Sequence, residues 1–224
     1  MTFSLVARDA ATGAFGIAVS SSSPAVAARC AHARTGVGVV ASQNVTNPAL
    51  GPLVLDFLAG GSDAQTALKA ALATEQFPDY RQLLIVDADG NTAIHSGSHS
   101  LGVHTHVHGD QAAAAGNLLA DEGVISALLA GYADSTAAAF EERLLDGLKA
   151  ALAAGGEASP VHSAGLMVVD DVPWPVTDLR IDYSDNPIGD LIALWQLWQP
   201  QKNDYRVRGV DPTQAPSYGV AGDL

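Results

Sequence analysis

Alternation of apolar and polar residues at the start of the chain predicts a β-hairpin. Phe3, Leu5 and Ala7 occupy every second position, the period at which residues of a strand share one face. The polar segment 9–13 predicts a turn, and the apolar run 14–20 predicts the second strand. We therefore expect the chain to begin with two antiparallel strands.

The next segments predict one covered strand followed by two helices. The run 36–43 is almost continuously apolar, which is typical of a strand that is covered on both faces. Helical spacing begins near Pro48, and Asn47 before it is a candidate N-cap. A second helical pattern follows Ser62, which is another candidate cap.

The rest of the chain repeats this order of strands before helices. Asp89 and Gly90 lie between two β-rich runs and predict a second hairpin. The segment 103–109 alternates cleanly and predicts another strand. The later elements are predicted as helices over 122–132 and 135–156, strands over 164–171 and 176–183, and a helix over 188–199.

This order favours an α+β domain over a doubly wound fold. Strands and helices do not alternate one for one, as a parallel sheet with crossover helices requires. Two sheets of mainly antiparallel hairpins with helices outside satisfy the order. We predict a single domain over 1–200 and a polar tail over 201–224 that wraps the surface or frays.

Composition limits the classes of function. The 224 residues are 48% hydrophobic, which supplies a substantial core. The net charge is −13, so we expect no nucleic-acid partner, since binding to nucleic acid relies on clustered Lys and Arg. No apolar run approaches the ~20 residues that span a bilayer, so we expect no membrane association.

The start of the chain and its cysteine content indicate a cytoplasmic protein. Arg8 and Asp9 occur before a signal-peptide core could form. The single cysteine, Cys30, excludes an internal disulfide and agrees with a reducing compartment. Because Cys30 lies in an Ala-rich stretch without the motif of a thiol enzyme, we interpret it as a buried structural thiol.

Several blocks together resemble a known family. They are MTFSLVARDAATGAFGIAVSSSSPAVA, GVGVVASQNVTNPALGP, YRQLLIVDADG, GNLLA and DLRIDYSDNPI. This combination resembles a bacterial family catalogued as domain of unknown function 1028, which is described as similar to the N-terminal-nucleophile (Ntn) hydrolases. The resemblance extends from Thr2 to about Leu197 and implies a four-layer αββα sandwich with a capacity for amidase chemistry.

Two places depart from the pattern of that family. Relatives usually carry Arg and an aromatic residue after the second strand, where this chain has Ser22 and Ser23. A later segment that is basic in relatives is GGEASPVHS here, with Glu157 and His162 but no Lys or Arg. If the basic residues bind an anionic substrate in relatives, this chain has lost them.

The resemblance implies that Thr2 is the catalytic nucleophile. In Ntn enzymes the side chain of the first mature residue attacks a carbonyl, and its own α-amine is the general base. The pKa of an α-amine is about 7.7–8.0, which suits that task. The mechanism requires removal of Met1, because a peptide bond neutralises the amine of Thr2. The alternative is that Thr2 merely begins an inner strand.

An oxyanion hole is the second requirement of that chemistry. Asn117, next to Gly116, is the preferred side-chain donor; a cap or turn asparagine is the alternative. The bend 20–23 is a candidate nest of backbone N–H groups, or a simple serine turn. Within it, Ser21 is a candidate hydroxyl donor or alternative nucleophile, and Ser20 and Ser22 are candidates for substrate binding.

Further polar residues are candidates for substrate binding. Gln43, Asn44 and Asn47 follow the third strand; Gln43 is suited to orient an amide, whereas Asn47 also fits a helix cap. Arg180 lies on alternate strand positions with Asp178 and Asp182, which fits a structural ion pair or a carboxylate clamp, and Arg81 has the same two interpretations.

No metal or cofactor is expected. His104, His106 and His108 share one strand face, as zinc ligands can. However, no Glu-x-x-His or Cys ligand spacing accompanies them, and exposed polar residues at strand spacing explain them better. The sequence has no Walker loop, dinucleotide fingerprint or Gly-x-Ser-x-Gly elbow.

The leading hypothesis is hydrolysis of a small, non-peptide amide by an N-terminal-nucleophile mechanism. A rival enzyme hypothesis retains Met1 and uses Ser21. The non-enzymatic rivals are an inactive Ntn-like protein that binds a small molecule, and an assembly protein with the Trp195–Trp198 helix as its interface. That apolar stripe is more typical of a core. We also expect a homo-oligomer, such as a homodimer.

Overall fold

The computed structural model describes residues 2–219. Within them, every strand pair is antiparallel. The strands are β1 Thr2–Arg8, β2 Phe15–Ser21, β3 Ala31–Arg34, β4 Gly38–Asn44, β5 Arg81–Asp87, β6 Thr92–Ser96, β7 Thr105–Gly109, β8 Ala112–Asn117, β9 Ser163–Val169 and β10 Thr177–Ile181. The helices are α1 Val26–Cys30, α2 Leu50–Ala59, α3 Ala64–Thr74, α4 Gly123–Ala133, α5 Phe140–Ala153, α6 Pro187–Trp198 and α7 Lys202–Val210, with short 3₁₀ turns at Pro78–Tyr80 and Pro212–Gln214.

The strands form two sheets. One has six strands in the order β10-β9-β2-β1-β8-β7, and the other has four in the order β3-β4-β5-β6. The hairpin predicted at the start of the chain is β1–β2, and the hairpin predicted around Asp89 and Gly90 is β5–β6. Both predictions are confirmed. β1 lies in the middle of the six-stranded sheet, so both of its edges are paired.

An apolar core fills the space between the sheets. Val6, Ile17 and Val19 of the six-stranded sheet share this core with Val39 and Leu84 of the other sheet, and all five are fully buried. Successive side chains of a strand point to opposite faces, so the neighbouring residues of the same strands face away from this space.

Helices cover the two outward faces. Leu5 of β1 packs in one cluster with Leu128 of α4 and Leu144 of α5. On the other side, Leu83 of β5 belongs to a cluster with Leu68 of α3. The helix–sheet–sheet–helix layering confirms the α+β, αββα fold class that the sequence predicted.

Several local predictions need correction. The first residue of α2 follows Ala49, not Asn47, although Asn47 Oδ1 accepts a hydrogen bond from Ala49 N at 3.1 Å. The cap of α3 is Asp63, not Ser62, and its carboxylate accepts from Thr66 N at 2.7 Å. An aspartate satisfies the same orphan N–H groups as a serine, which explains why the boundary shifts by one residue.

The sequence pattern did not predict α1, β3 or β8. In β8, Ala112 and Ala114 belong to the outer core while Ala113 and Ala115 belong to the core between the sheets. Four alanines covered on both faces show no alternation of period two, and alanine favours helices. The pattern therefore gave no strand signal there.

The C-terminal region also differs from the prediction. The segment expected as a polar tail contains α7, in which Tyr205 stacks on Trp198 of α6 with ring centroids 5.2 Å apart. Trp195 is only 2% exposed and belongs to the outer core, as the apolar stripe indicated. Residues 220–224, the last part of the predicted tail, lie outside the described residues, as does Met1. No helix within the described range has the length and apolar character needed to cross a membrane.

Candidate functional site

The site is built around the first described residue of the central strand. Thr2 begins β1 and pairs directly with Asn117, the last residue of β8. Phe3 pairs with Ser20 of β2 and lies in the outer core, so Thr2 and Ser21 lie on the opposite face, between the sheets. Thr2 Oγ1 donates to Ser21 Oγ at 3.5 Å, and Thr2 is 4% exposed. The hydroxyl predicted as nucleophile thus lies at one end of the space between the sheets.

The serine bend is held by its own hydrogen bonds. Ser21 Oγ lies 2.8 Å from Ser23 Oγ and also accepts from Ser23 N at 3.1 Å. Arg29 of α1 donates to Ser23 Oγ and, at 2.9 Å, to Ala25 O. The hydroxyl beside Thr2 therefore belongs to a braced turn.

Glu157, which the sequence marked only as a departure from the family pattern, also lies at this site. It is 5% exposed, and its two carboxylate oxygens accept from Ser22 N at 3.2 and 3.1 Å. Burial raises the pKa of Glu157 to about 7, against the opposing effect of its bond to Ser22. A loop glutamate between Gly-Gly and Ala-Ser has no pattern that marks it as buried, so only the folded chain identifies it.

These contacts bear on the predicted oxyanion nest. Ser22 N donates to Glu157, and Ser23 N donates to Ser21 Oγ. Both N–H groups therefore already have acceptors in this structure. Ser20 also differs from the prediction, because its hydroxyl lies on the face opposite Thr2 and donates to Ser163 O at 3.0 Å.

Beneath Thr2, a chain of buried amides links the two sheets. Ser4 Oγ donates to Gln43 Oε1 at 2.6 Å, and Gln43 Nε2 donates to Gln82 Oε1 at 2.8 Å. Asn117 Nδ2 donates to the same Gln82 oxygen at 3.1 Å. Gln43, Gln82 and Asn117 are fully buried, so Gln43 and Asn117 are brought together as predicted site residues, whereas Gln82 was missed.

Two main-chain carbonyls fix the orientation of these amides. Gln43 Nε2 also donates to Ala115 O at 3.2 Å, and Gln82 Nε2 donates to Gly116 O at 3.2 Å. A carbonyl oxygen only accepts, so each glutamine must present its nitrogen there and its oxygen elsewhere. Asn117 must then donate to Gln82, which leaves Asn117 Oδ1 as a buried acceptor without a partner among the described residues.

The other predicted binding residues have structural partners. Arg81 donates to Glu75 at 3.0 Å, and this bond holds the pKa of Glu75 at about 2. Asn47 Nδ2 also donates to Glu75, at 2.6 Å. Asn44 Nδ2 donates to Tyr80 O at 2.7 Å, which ties two loops together.

Arg180 donates two hydrogen bonds of 2.8 Å to Asp178. In this structure the two residues therefore form an ion pair with each other, the structural alternative given above. The half-exposed pair lies on β10, an edge strand of the six-stranded sheet. Two strands, β9 and β2, separate β10 from β1 and Thr2.

The histidines of β7 face β6 across the edge of the sandwich. His106 Nδ1 lies 3.1 Å from Ser96 Oγ, and His108 Nδ1 lies 2.7 Å from Thr92 Oγ1. His104 precedes the strand and contacts Gly102 O. Within residues 2–219, no group of three His, Cys, Asp or Glu side chains is arranged to hold a metal ion.

Two cavities lie near opposite ends of the sandwich. One of about 250 Å³ is lined by Val45, Phe77, Tyr80 and Arg81. Arg81 pairs with Asn44, one position beyond the Gln43–Gln82 pair, so this cavity lies at the Thr2 end. The other, of about 370 Å³, lies at the far end of β1 and is lined by residues that include Arg8, Asp9 and Arg143.

Comparisons with known proteins agree with the resemblance seen in the sequence. The model of a family of unknown function, DUF1028, matches residues 2–191. The crystal structure of a DUF1028 protein from Silicibacter pomeroyi is 34% identical, with 88% of each chain covered and a TM-score of 0.82. Anbu (ancestral beta-subunit) from Yersinia bercovieri is 12% identical over 97% of this chain and 100% of that chain, but its TM-score of 0.36 is too low to support an argument. No curated protein is significantly similar to the chain.

Proposed function

The chain belongs to the DUF1028 family, and we propose from its own residues that it hydrolyses a small amide with Thr2 as N-terminal nucleophile. The observation that carries this proposal is the position of the Thr2 hydroxyl. It lies at the start of the central strand, between the sheets, and next to a buried polar network. Burying polar groups costs free energy unless each of them has a hydrogen-bond partner. A buried polar network beside a threonine that only began a strand would have no benefit to offset this cost, so the network supports a functional role for Thr2.

The proposed reaction starts once Met1 has been removed. The free α-amine of Thr2 takes the proton of Thr2 Oγ1 while that oxygen forms a bond with the amide carbonyl carbon. The resulting ammonium then protonates the leaving nitrogen as the carbon–nitrogen bond breaks. Water, deprotonated by the same amine, attacks the Thr2 ester and releases the acid, which restores the hydroxyl and the neutral amine.

Asn117 is the proposed oxyanion donor. One hydrogen of its Nδ2 is used by Gln82, and the second remains for a developing negative charge beside Thr2. Gln82 fixes the plane of this amide, because Gln82 is itself held by Gly116 O and by Ser96 Oγ at 3.0 Å. A donor held before the reaction starts is what an oxyanion hole requires.

The test is a chain made to begin at Thr2 by cleavage of an added leader. It is incubated with a panel of small amides, and release of ammonia or amine is measured together with the intact mass of the protein. We expect turnover in this chain and no turnover when Met1 is kept. Hydrolysis that is equally fast with Met1 retained, or in Thr2→Ala, would contradict the proposal.

One observation favours a second candidate, an inactive protein that binds a small molecule. Proteasome-like enzymes place a lysine beside the nucleophile, whereas Lys69 and Lys149 lie on α3 and α5, which cover the outer faces. Calorimetry on chains with and without Met1 separates the two candidates. Equal binding of an amide by both chains, without turnover, would favour the binding protein.

A further inference from the structure

We propose that Glu157 is a positioning residue that holds the α-amine of Thr2. This inference rests on the proposed function, because it concerns a chain that begins at Thr2. The amine would then be oriented toward Thr2 Oγ1 by a carboxylate that reaches it from outside the central strand.

The route of the chain places Glu157 at the end of β1. Its main chain forms an antiparallel bridge with Leu119, two residues beyond the end of β8, and Ala158 N donates to Leu118 O at 2.9 Å. Its carboxylate reaches Ser22 N, one residue beyond the end of β2. β1 lies between β8 and β2 in the sheet, so Glu157 spans the end at which β1 begins. Thr2 is the first residue of that strand, and its amine lies at this end.

Two buried side chains offer hydrogen-bond acceptors at this position. Glu157 is buried, and among the described residues its carboxylate accepts hydrogen bonds from Ser22 N. On the β8 side, Asn117 Oδ1 is fully buried and has no partner there. A neutral amine carries two N–H donors and an ammonium carries three, so the amine of Thr2 matches both acceptors.

Two cationic groups oppose the rise in the pKa of Glu157, the N-terminal ammonium of the chain and, after it, His162 on the segment before β9. His162 Nδ1 also lies 3.5 Å from Asp185 Oδ1. The guanidinium of Arg29 on α1 is directed to Ser23 Oγ and to the carbonyls of residues 24 and 25. Because burial strengthens electrostatic interactions, a carboxylate in this position should stabilise the ammonium form and raise the pKa of the Thr2 amine.

The experiment measures the pKa of that amine directly. A chain beginning at Thr2 is labelled by a trace acylating reagent at a series of pH values, and the rate at the N-terminus is read by peptide mass spectrometry. The same titration is made for Glu157→Gln, for the conservative Glu157→Asp, and for Asp89→Asn. Asp89 is an exposed residue near the β5–β6 turn, so this control removes one negative charge at the far end of the strands.

We expect Glu157→Gln to lower the pKa of the amine by about 1 unit or more, the size typical of removing an opposite charge within a few ångströms. Glu157→Asp should restore part of the shift, and Asp89→Asn should leave it within experimental error. An unchanged pKa in a folded Glu157→Gln protein would overturn the inference. Circular dichroism and cooperative urea unfolding identify a variant that is not folded, and Glu157→Asp then supplies the decisive comparison.

The labelling does not depend on catalysis, so the two proposals fail separately. If no amide is hydrolysed but the amine pKa falls in Glu157→Gln, the positioning role stands and the enzyme proposal fails. If hydrolysis requires Thr2 but the pKa is unchanged, only the role of Glu157 fails.

Discussion

The middle and the Thr2 end of the space between the sheets are built from the same strands but have opposite chemistry. In the middle, Val6, Val39 and Leu84 bury only apolar atoms. Two positions before Leu84, toward the start of β5, the place of an apolar side chain is taken by Gln82, which is equally buried. Along β5, the space between the sheets thus changes from an apolar core to a network of hydrogen-bonded amides.

This difference indicates which region serves stability and which serves chemistry. Apolar burial stabilises a fold by about 25 cal/mol per Å². A buried hydrogen bond contributes only about 0.5–1.5 kcal/mol net, and a buried polar group left unpaired costs about 1–3 kcal/mol. A chain selected for stability alone would continue the apolar pattern of Leu84 to the end of the sandwich. The amides beneath Thr2 therefore point to a functional use of that end.

The largest expected effect concerns the nucleophile. In a chain that begins at Thr2, Thr2→Ala should lower kcat/KM by about 10⁴-fold or more, because it removes the attacking oxygen. Ser21→Ala is the matched control, since it removes the neighbouring hydroxyl, and it should cost far less. Steady-state kinetics on an amide substrate measures both. A greater loss in Ser21→Ala would transfer the role of nucleophile to Ser21.

The next effect should appear in the apolar middle. Leu84→Ala should lower the free energy of unfolding by about 2–5 kcal/mol, since it leaves a cavity in a packed core. Urea denaturation measures this loss. The kcat of the molecules that remain folded should change little. Such a result would show that the apolar middle serves stability, whereas the Thr2 end serves catalysis.

Gln82→Leu tests the polar end by the same measurement. Its loss leaves the buried Asn117 Nδ2 without its acceptor and removes hydrogen bonds from Gln43 Nε2 and Gly116 O. We expect a cost of about 2–4 kcal/mol, since each buried unsatisfied group costs about 1–3 kcal/mol and leucine recovers part of it by apolar burial. A stabilised Gln82→Leu protein with full activity would contradict the functional interpretation of the network.

A smaller effect should follow pH. The pKa of Glu157 is raised to about 7 in the folded protein, above the ~4.3 of an exposed glutamate. The folded state therefore binds more protons between these values, so this group's contribution to stability falls as pH rises from about 4.3 through about 7. In chains that keep Met1, and therefore lack the Thr2 ammonium that would oppose this shift, the unfolding free energy of the wild-type sequence minus that of Glu157→Gln, measured from pH 5 to 8, should decrease with pH. A difference that is constant over this range would show that Glu157 is not perturbed.

The smallest effect is expected at the edge strand. Arg180→Ala removes a half-exposed ion pair with Asp178, which should change stability by less than about 1 kcal/mol. KM should not change if the pair is structural. A marked rise in KM for an acidic amide would instead support the alternative interpretation, in which Arg180 binds a carboxylate of the substrate.

The sequence predicted the layers better than it predicted the site. The hairpins and helices follow local periodicity, so their existence was clear from short windows of the chain. Gln43 was selected because it ends a predicted strand, Asn117 because it follows Gly116, and Ser21 because it lies in a serine-rich bend. The fold places Asn117 and Ser21 beside Thr2, and Gln43 is joined to Asn117 through Gln82. Gln82 was missed because it lies inside an apolar strand pattern, and only pairing with the opposite sheet gives it a role.

Other failures have equally local reasons. The strand β8 is a run of alanines with no alternation, and Glu157 lies in a loop between glycines and a proline. The position of Glu157 depends on contacts with Leu119 and Ser22, which are distant in the chain. Residues that are distant in the chain come together only when it folds, so no local sequence pattern predicts such contacts.

The most direct test of the central claim is the intact mass of this protein purified from its native cells. We predict a mass that is lower than that of the 224-residue chain by one methionine, because Thr2 then carries a free α-amine. A mass that includes Met1 in every molecule would contradict the proposed mechanism.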